Sequence, residues 1–416
     1  MTSNRFRWVY CQLDNLRRCM PSSIRKSLNE LPITLDETYE RILQGIPKQK
    51  LQHAHRLFQC LVAAIRPLSV KELAEIFAIE FGSNAALRLV ESWRPEDPEE
   101  AVLSACSTLI SIIDDKGSKI VQFSHFSVKE FLTSDRLQTT DAENVRQYYI
   151  PLEPAHTLLA QGCLAVLLQL DENVDKKRVE TFALAFYAAK HWVDHAKFQN
   201  VVSQIQDTME DLFNPMKPHF RAWIWMHERI GWSSSPDFDE SPSPPPPDFT
   251  SLHCAAHYGF SDLAERLIIA HAEDVNAKCC DDSTPLHEAS HNGHIDIVHV
   301  LFDHGADINV QKGGGIVPLH LASYHGHPNV VKFLLEHDAP VNVRWSSNHT
   351  PLYDASEWGH LDVVRLLLDH GADANLQGSS GTPFQVATMK GHHDIARLLQ
   401  GDGAPIESEV QRVQNE

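Results

Sequence analysis

The stretch Thr284–His294, TPLHEASHNGH, decides how the second half of this chain is read. It contains His287-Glu288-Ala289-Ser290-His291, a literal H-E-x-x-H pattern. On a helix, that spacing puts two histidines on one face, where they can hold zinc with the glutamate acting as base. The same letters also make a plain helix. Thr284 suits an N-cap, and Pro285 suits the first helical position, where a missing N–H costs nothing. Ala289 and Ser290 are small enough for a neighbouring helix to come close, and Gly293 supplies a turn with φ > 0. Five residues match by chance often, so the surrounding sequence must choose.

The surroundings repeat. Leu252, Leu286, Leu319, Leu352 and Phe384 each sit in a version of the same phrase: TSLH, TPLH, VPLH, TPLY and TPFQ, spaced by 34, 33, 33 and 32 residues. A glycine follows in every unit, with Phe260, His294, His327, His360 or His392 after it. Then comes an apolar stripe such as DIVHVLFDHGADIN, and in four units an asparagine at 276, 309, 342 or 375. These five units resemble the ankyrin repeat. The resemblance implies two antiparallel helices per unit, with hairpin tips projecting from one side and neighbours stacking to bury what no unit buries alone. The second helix of the quoted unit is expected to bury Ile297, Val298, Leu301 and Phe302 at helical spacing.

The zinc pattern does not recur with the repeat. Where the quoted unit has Glu288, its siblings carry Cys254, Leu321, Asp354 and Val386; where it has His291, they carry His257, Tyr324, Glu357 and Met389. His287 belongs to the repeated phrase itself. A zinc peptidase is therefore the remote alternative, and no metal, cofactor or catalytic residue is expected. What the ankyrin resemblance implies is capture of a protein partner by the tips and the open face of each first helix. The positions that vary there are Lys278, Cys280, Asp281 and Ser283; Gln311 and Ile316; and Arg344, Trp345, His349, Glu357 and Trp358. Trp345 stands where a tip aspartate is usual, and Trp358 directly precedes Gly359. With Arg344 they read as an interface anchor on one exposed surface. The fragments CCDD and KGGG depart from the repeat, so the first two tips are expected to be irregular.

The first half has another character. Two capping boxes, Thr34 to Glu37 and Ser69 to Glu72, open helical patterns. Helices are expected at 35–44, 52–65, 70–80 and 98–109. LISIIDDKGSKIVQFSH then reads as a β-hairpin, and SVKEFLTS as a closing helix, so that the whole forms a winged helix. DNA binding is disfavoured: the helix that would enter the groove, around 98–111, has two glutamates and no Lys or Arg.

The stretches RFRWVYCQLDNLRRCMPSSIRKSLNELPITLDETYERIL, RPLSVKELAEIFAIEF, VQFSHFSVKEFL and FALAFYAAKHWVDHAKF resemble the part that follows the NTPase core in fungal NACHT-type STAND proteins. These are intracellular switches that commonly end in ankyrin repeats. The resemblance implies a regulatory role for this half, with a STAND-family protein among its partners. It also implies that His125, which follows the wing, is placed to touch nucleotide phosphates; Phe126 stands where the plant-type relative of that motif has aspartate. The bare sequence offers the alternative that His125 simply starts a helix. No G-x-x-x-x-G-K-[ST] phosphate loop occurs in the 416 residues. The expectation is thus a shortened relative or the C-terminal part of a longer switch.

Composition sets the remaining bounds. The chain is 43% hydrophobic and 22% charged, with a formal net charge of −19. From Ser251 onward nine basic residues face twenty-two acidic ones, which disfavours nucleic acid and anionic membrane surfaces. The longest apolar run, CLAVLLQL at 163–170, is far too short to span a bilayer. Eight scattered cysteines without a C-x-x-C pair read as reduced thiols, hence a cytoplasmic or nuclear setting. The expected fold is mainly α: a helical and winged-helix first half, then an ankyrin-repeat α-solenoid with β-hairpin tips. Its parts are a helical lead-in (1–50), a winged-helix-like domain (51–136), a helical connecting region (150–230), a proline-rich linker (233–248), five repeats (249–405) and a polar tail (406–416).

Overall fold

The computed structural model describes residues 34–81, 87–115, 117–140, 142–171, 176–232 and 248–401. It divides into two compact units, 1–246 and 247–416. The lead-in before Thr34, the linker up to Pro247, Lys116 in the wing turn and the polar tail lie outside the described residues.

In the first unit, α1 (Leu35–Gln44) starts at the Thr34 capping box: the threonine hydroxyl accepts the Glu37 N–H at 3.2 Å, and the Glu37 carboxylate accepts the Thr34 N–H at 3.4 Å. α2 (Leu51–Ala63) stops two residues short of the expected end, because the Ile65 N–H leaves the helical ladder and donates to the Tyr187 hydroxyl at 3.1 Å. α3 (Val70–Phe77) opens with the second capping box, at Ser69 and Glu72. Its expected last turn is instead a strand. β1 is Leu68–Ser69, and β2 (Ile79–Glu80) pairs antiparallel with β3 (Arg88–Leu89), which suits β-branched Ile79 better than a helix end does. α4 (Pro98–Cys106) is capped by Asp97, which accepts the Glu99 and Glu100 N–H groups at 2.9 and 3.0 Å.

The wing is β4 (Ile110–Asp115) and β5 (Ser118–Phe123), antiparallel with Ile112 opposite Val121. β1 adds on the other side of β5, giving the order β1-β5-β4. α5 (Phe126–Leu132) follows, tied to α1 by a 2.8 Å hydrogen bond between the Tyr39 and Ser127 hydroxyls. Four longer helices follow among the described residues: α6 (Leu152–Leu167), α7 (Ala185–Ala196), α8 (Val201–Phe213) and α9 (Pro218–Trp232). Their core is aromatic. Trp192 meets Trp223 edge-on at 5.3 Å, Phe213 lies against both, and the Trp223 indole donates to the Ala189 carbonyl at 3.1 Å. Buried Glu75 of α3 accepts from Arg94 and from the Leu184 N–H, both at 2.6 Å, joining the winged helix to these helices.

Among the described residues, the second unit holds five helix pairs. The first helices are Ser251–Tyr258, Pro285–Asn292, Pro318–Tyr324, Pro351–Trp358 and Pro383–Lys390; the second helices are Ser261–Ala270, Ile295–Asp303, Pro328–Glu336, Leu361–Asp369 and His393–Leu399. Ile297, Val298 and Leu301 are buried as expected. Phe302 is only half-buried, lying at the edge of the next unit's Phe333 and His337. The tips are short. Each closes with one or two backbone hydrogen bonds, such as Cys279 N–H to Ser283 O at 3.0 Å, rather than with a ladder. Left-handed residues turn all four: Asp282, Gly314 with Gly315, Asn348 and Gly381.

The turn between the helices of a unit is built with the following unit. Gly259, Gly293 and Gly359 are the left-handed C-caps of their helices, and Gly326 also has positive φ. Over each lies the histidine that follows the next unit's glycine, whose Nε2–H donates to a carbonyl at the end of the earlier helix. His294 reaches His257 at 3.0 Å, His327 reaches His291 at 2.8 Å, His360 reaches Tyr324 at 2.9 Å and His392 reaches Glu357 at 3.1 Å. A Cβ on Gly293 would sit 2.4 Å from the His327 ring. Glycine is thus required twice, by its φ and by the ring packed on it.

Candidate functional site

The histidine of the repeated phrase is structural in three units. In the quoted unit, His287 Nδ1 accepts the Thr284 N–H at 3.2 Å and Nε2 donates to the Ile316 carbonyl at 3.1 Å. His253 and His320 repeat both contacts, to Ser283 and Val343 respectively. Each ring therefore seals a helix start and holds the next tip. Burial lowers their pKa values, to about 4 for His287 and His320, so they stay neutral.

With both nitrogens of His287 engaged, the H-E-x-x-H pattern presents no ligand set. Glu288 faces the Ser283 hydroxyl at 3.3 Å and His257 at 3.0 Å, while the His291 ring packs on His325 with centroids 3.9 Å apart. Among the described residues the close group of metal-type donor atoms lies elsewhere, at Cys279, Cys280 and Asp281 in the first tip. There the Cys279 thiol donates to Asp281 at 2.8 Å, and Lys312 pairs with the same carboxylate at 3.2 Å. Burial would raise the Asp281 pKa, but the hydrogen bonds from Cys279, Ser283 and Lys312 outweigh it and hold the carboxyl at about 2.

The partner-binding candidates fall into three groups. Asp281 and Ile316 are tied into the tips: Asp281 through Lys312 and the Gly313 N–H, Ile316 through its carbonyl, which accepts from His287 and Lys312. Lys278 is exposed and pairs with Asp282 at 3.7 Å, Ser283 is buried, and Cys280, Gln311 and Arg344 are exposed. The third group surrounds the fourth unit's first helix. Trp358, at its C-terminal end, is 50% exposed and rests on Tyr324 of the preceding unit at 4.8 Å. Beside it Glu357 pairs with Lys390 at 3.2 Å.

Trp345 lies before the N-terminal end of that helix, so the two tryptophans flank its opposite ends rather than lying side by side. Trp345 is half-buried, edge-on to His349 at 5.2 Å. Its indole N–H is buried and turned toward the Asp354 carboxyl without reaching hydrogen-bond geometry. His349 Nδ1 is 3.1 Å from Asp354 Oδ1, and its Nε2 is 2.8 Å from the Ser379 hydroxyl of the next tip. Burial dominates Asp354 and raises its pKa to about 8 against the pull of Trp345. Sequence reasoning missed Asp354 and Ser379; only the i, i+5 spacing of His349 and Asp354, shared with Ser283 and Glu288, hinted at them.

In the first unit His125 is the N-cap of α5. Its Nδ1 lies 2.6 Å from the Ser127 hydroxyl and accepts the Ser127 N–H at 3.3 Å. Its ring packs on exposed Phe126 at 4.2 Å, at the edge of an open groove that includes Lys129.

Comparison with known proteins agrees with this architecture. Residues 238–312 and 309–378 match the family described as ankyrin repeats (3 copies). Residues 39–143 match the winged helix domain of GPI inositol-deacylase. The chain thus carries ankyrin repeats and a winged-helix domain of that type. It is also similar to a protein described as azaphilone pigments biosynthesis cluster protein L, from Monascus ruber: 32% identical over 294 residues, covering 66% of this chain and 60% of that protein. The chain therefore spans about three fifths of the length of the curated relative it matches. Among the described residues, no helix is long and apolar enough to cross a membrane.

Proposed function

We propose that the chain is an intracellular interaction protein whose ankyrin units capture a protein partner, while its first unit serves as a STAND-type regulatory module. Its role in this reading is recognition rather than turnover. One observation carries it: the first-helix ends leave Trp358 half in solvent, supported from beneath by Tyr324, with exposed Met389 one unit on. A rigid aromatic presented this way is what binding hot spots use. The test is recovery of binding partners from the native cell extract with wild type and Trp358→Ala. Loss of a specific partner supports the reading, and an unchanged set overturns the role of Trp358.

A second reading makes the chain the C-terminal part of a nucleotide switch, with the ATPase elsewhere in the gene product. It is favoured by the winged-helix match. The winged helix would then bring His125 to the nucleotide, although its Nδ1 is committed to Ser127. A phosphate loop encoded in the gene upstream of Met1 would separate the two, and tight binding of ATP by this chain itself, measured by calorimetry, would overturn the interaction-protein reading.

A further inference from the structure

Ser379, His349 and Asp354 form a relay across the fourth and fifth ankyrin units. The Ser379 hydroxyl is 2.8 Å from His349 Nε2, and His349 Nδ1 is 3.1 Å from Asp354 Oδ1. Burial is graded along it: the Asp354 side chain is 3% exposed, that of His349 is 12% exposed, and Ser379 is open to solvent. A fourth group completes the set. The Tyr353 hydroxyl accepts the Ser380 N–H at 3.3 Å and lies 3.5 Å from Ser379 Oγ. Gly378 makes the arrangement fit, since a Cβ there would come within 2.7 Å of the Tyr353 ring and 3.0 Å of His349.

We propose that Ser379 is an activated nucleophile and a site of covalent acylation, with His349 as its base, Asp354 as the group that orients the base, and Tyr353 as a donor to the developing oxyanion. The constellation satisfies the geometric test for such a site: nucleophile to base, base to orienting group, and a donor beside the nucleophile. The donor substrate is an electrophilic acyl ester or thioester. Ser379 Oγ attacks its carbonyl carbon while His349 Nε2 takes the hydroxyl proton. The carbonyl oxygen gains negative charge opposite the Tyr353 O–H. The carbon–oxygen or carbon–sulfur bond then breaks, the leaving alcohol or thiol takes the proton from His349, and the acyl group stays on Ser379 as an ester. The inference does not rest on the binding role and concerns stoichiometric modification.

The relay carries its own pH dependence. With Asp354 protonated, its O–H donates to His349 Nδ1, which leaves the ring N–H pointing at Ser379 and no base. Once ionised, Asp354 takes the Nδ1–H and frees the Nε2 lone pair for Ser379. Burial places that change near pH 8. The other groups facing the pair are Trp345 and Glu357 on Asp354, and Tyr353, His320 and Glu357 on His349. Reactivity should therefore rise between pH 7 and 9.

The experiment exposes the full chain to p-nitrophenyl acetate and, separately, to a fluorophosphonate probe, then maps the adduct by mass spectrometry. The expected result is one p-nitrophenolate released per chain, with the label on Ser379 and none on Ser379→Ala. His349→Gln should slow labelling by about 10²-fold, and Asp354→Asn should flatten the rise with pH. Circular dichroism of each variant checks its fold, and exposed Ser379→Ala serves as the folded control. Labelling of Ser379 no faster than in the urea-unfolded chain, or equal labelling in folded His349→Gln, overturns the proposal.

Discussion

At the scale of single residues, the repeat is specified by atoms with two jobs. His287 caps its own helix start and pins the next tip, so His287→Ala strands the buried Thr284 N–H and takes from the Ile316 carbonyl one of its two hydrogen bonds, leaving that from the Lys312 N–H. A cost of about 1–3 kcal/mol is expected, read from urea unfolding, while a zinc chelator leaves the wild-type midpoint where it was. Gly293 and Gly305 offer a cleaner comparison. Both have left-handed φ, at 76° and 88°, but only Gly293 lies under a neighbour's ring. Gly305→Ala should cost about 1 kcal/mol of backbone strain, and Gly293→Ala about 1–3 kcal/mol more, because His327 must move. Equal losses would mean that the ring yields freely. The letters Thr, Pro, His and Gly were legible in the sequence, since each has a local reason to stand where it does. Their second partners were not, because these lie 23 to 37 residues away and depend on how units stack.

Helices and strands follow local chemistry until a distant group intervenes. The capping boxes at Thr34 and Ser69 could be read directly, and the wing was plain from its two β-rich runs. The ends of α2 and α3 could not be read: the Tyr187 hydroxyl takes one N–H, and pairing with β3 claims Ile79. The same distinction separates two substitutions in α3. Ser69→Ala removes a cap and should cost about 0.5–2 kcal/mol. Glu72→Ala should cost more, because that carboxylate accepts the Ser69 N–H at 2.6 Å and also pairs with Arg66 at 2.6 Å. Thermal melts of the two variants rank them, and the reverse order would show the Arg66 pair to be idle. The fourth-unit helix gives the matching lesson for the candidate site. Trp358 could be read as exposed from its place before a turn glycine, whereas the withdrawal of Trp345 toward His349 and Asp354 depends on residues brought together by the tip.

For the whole molecule, the neutral buried histidines set a pH limit. His287 and His320 have pKa values near 4 in the fold, against an ordinary value of 6.5, and His195 of the first unit is held near 3. The unfolded chain therefore binds more protons between those values and 6.5. The contribution of these three histidines is full above about pH 6.5 and falls as pH drops toward 4, outweighing the opposite trend of Asp354, whose carboxyl stays protonated in the fold up to about pH 8. Urea midpoints measured from pH 7.5 to 5 should show this decline, and His287→Gln with His320→Gln should make it shallower. The histidines laid over the turn glycines add a consequence of another kind. Each ring reaches back toward the N-terminal neighbour, and among the described residues Gly391 has none above it. Removing the last unit would strip the cover from Gly359, whereas removing the first would uncover no remaining turn. The array therefore has a grain, and hydrogen exchange should find it peeling from the C-terminal end.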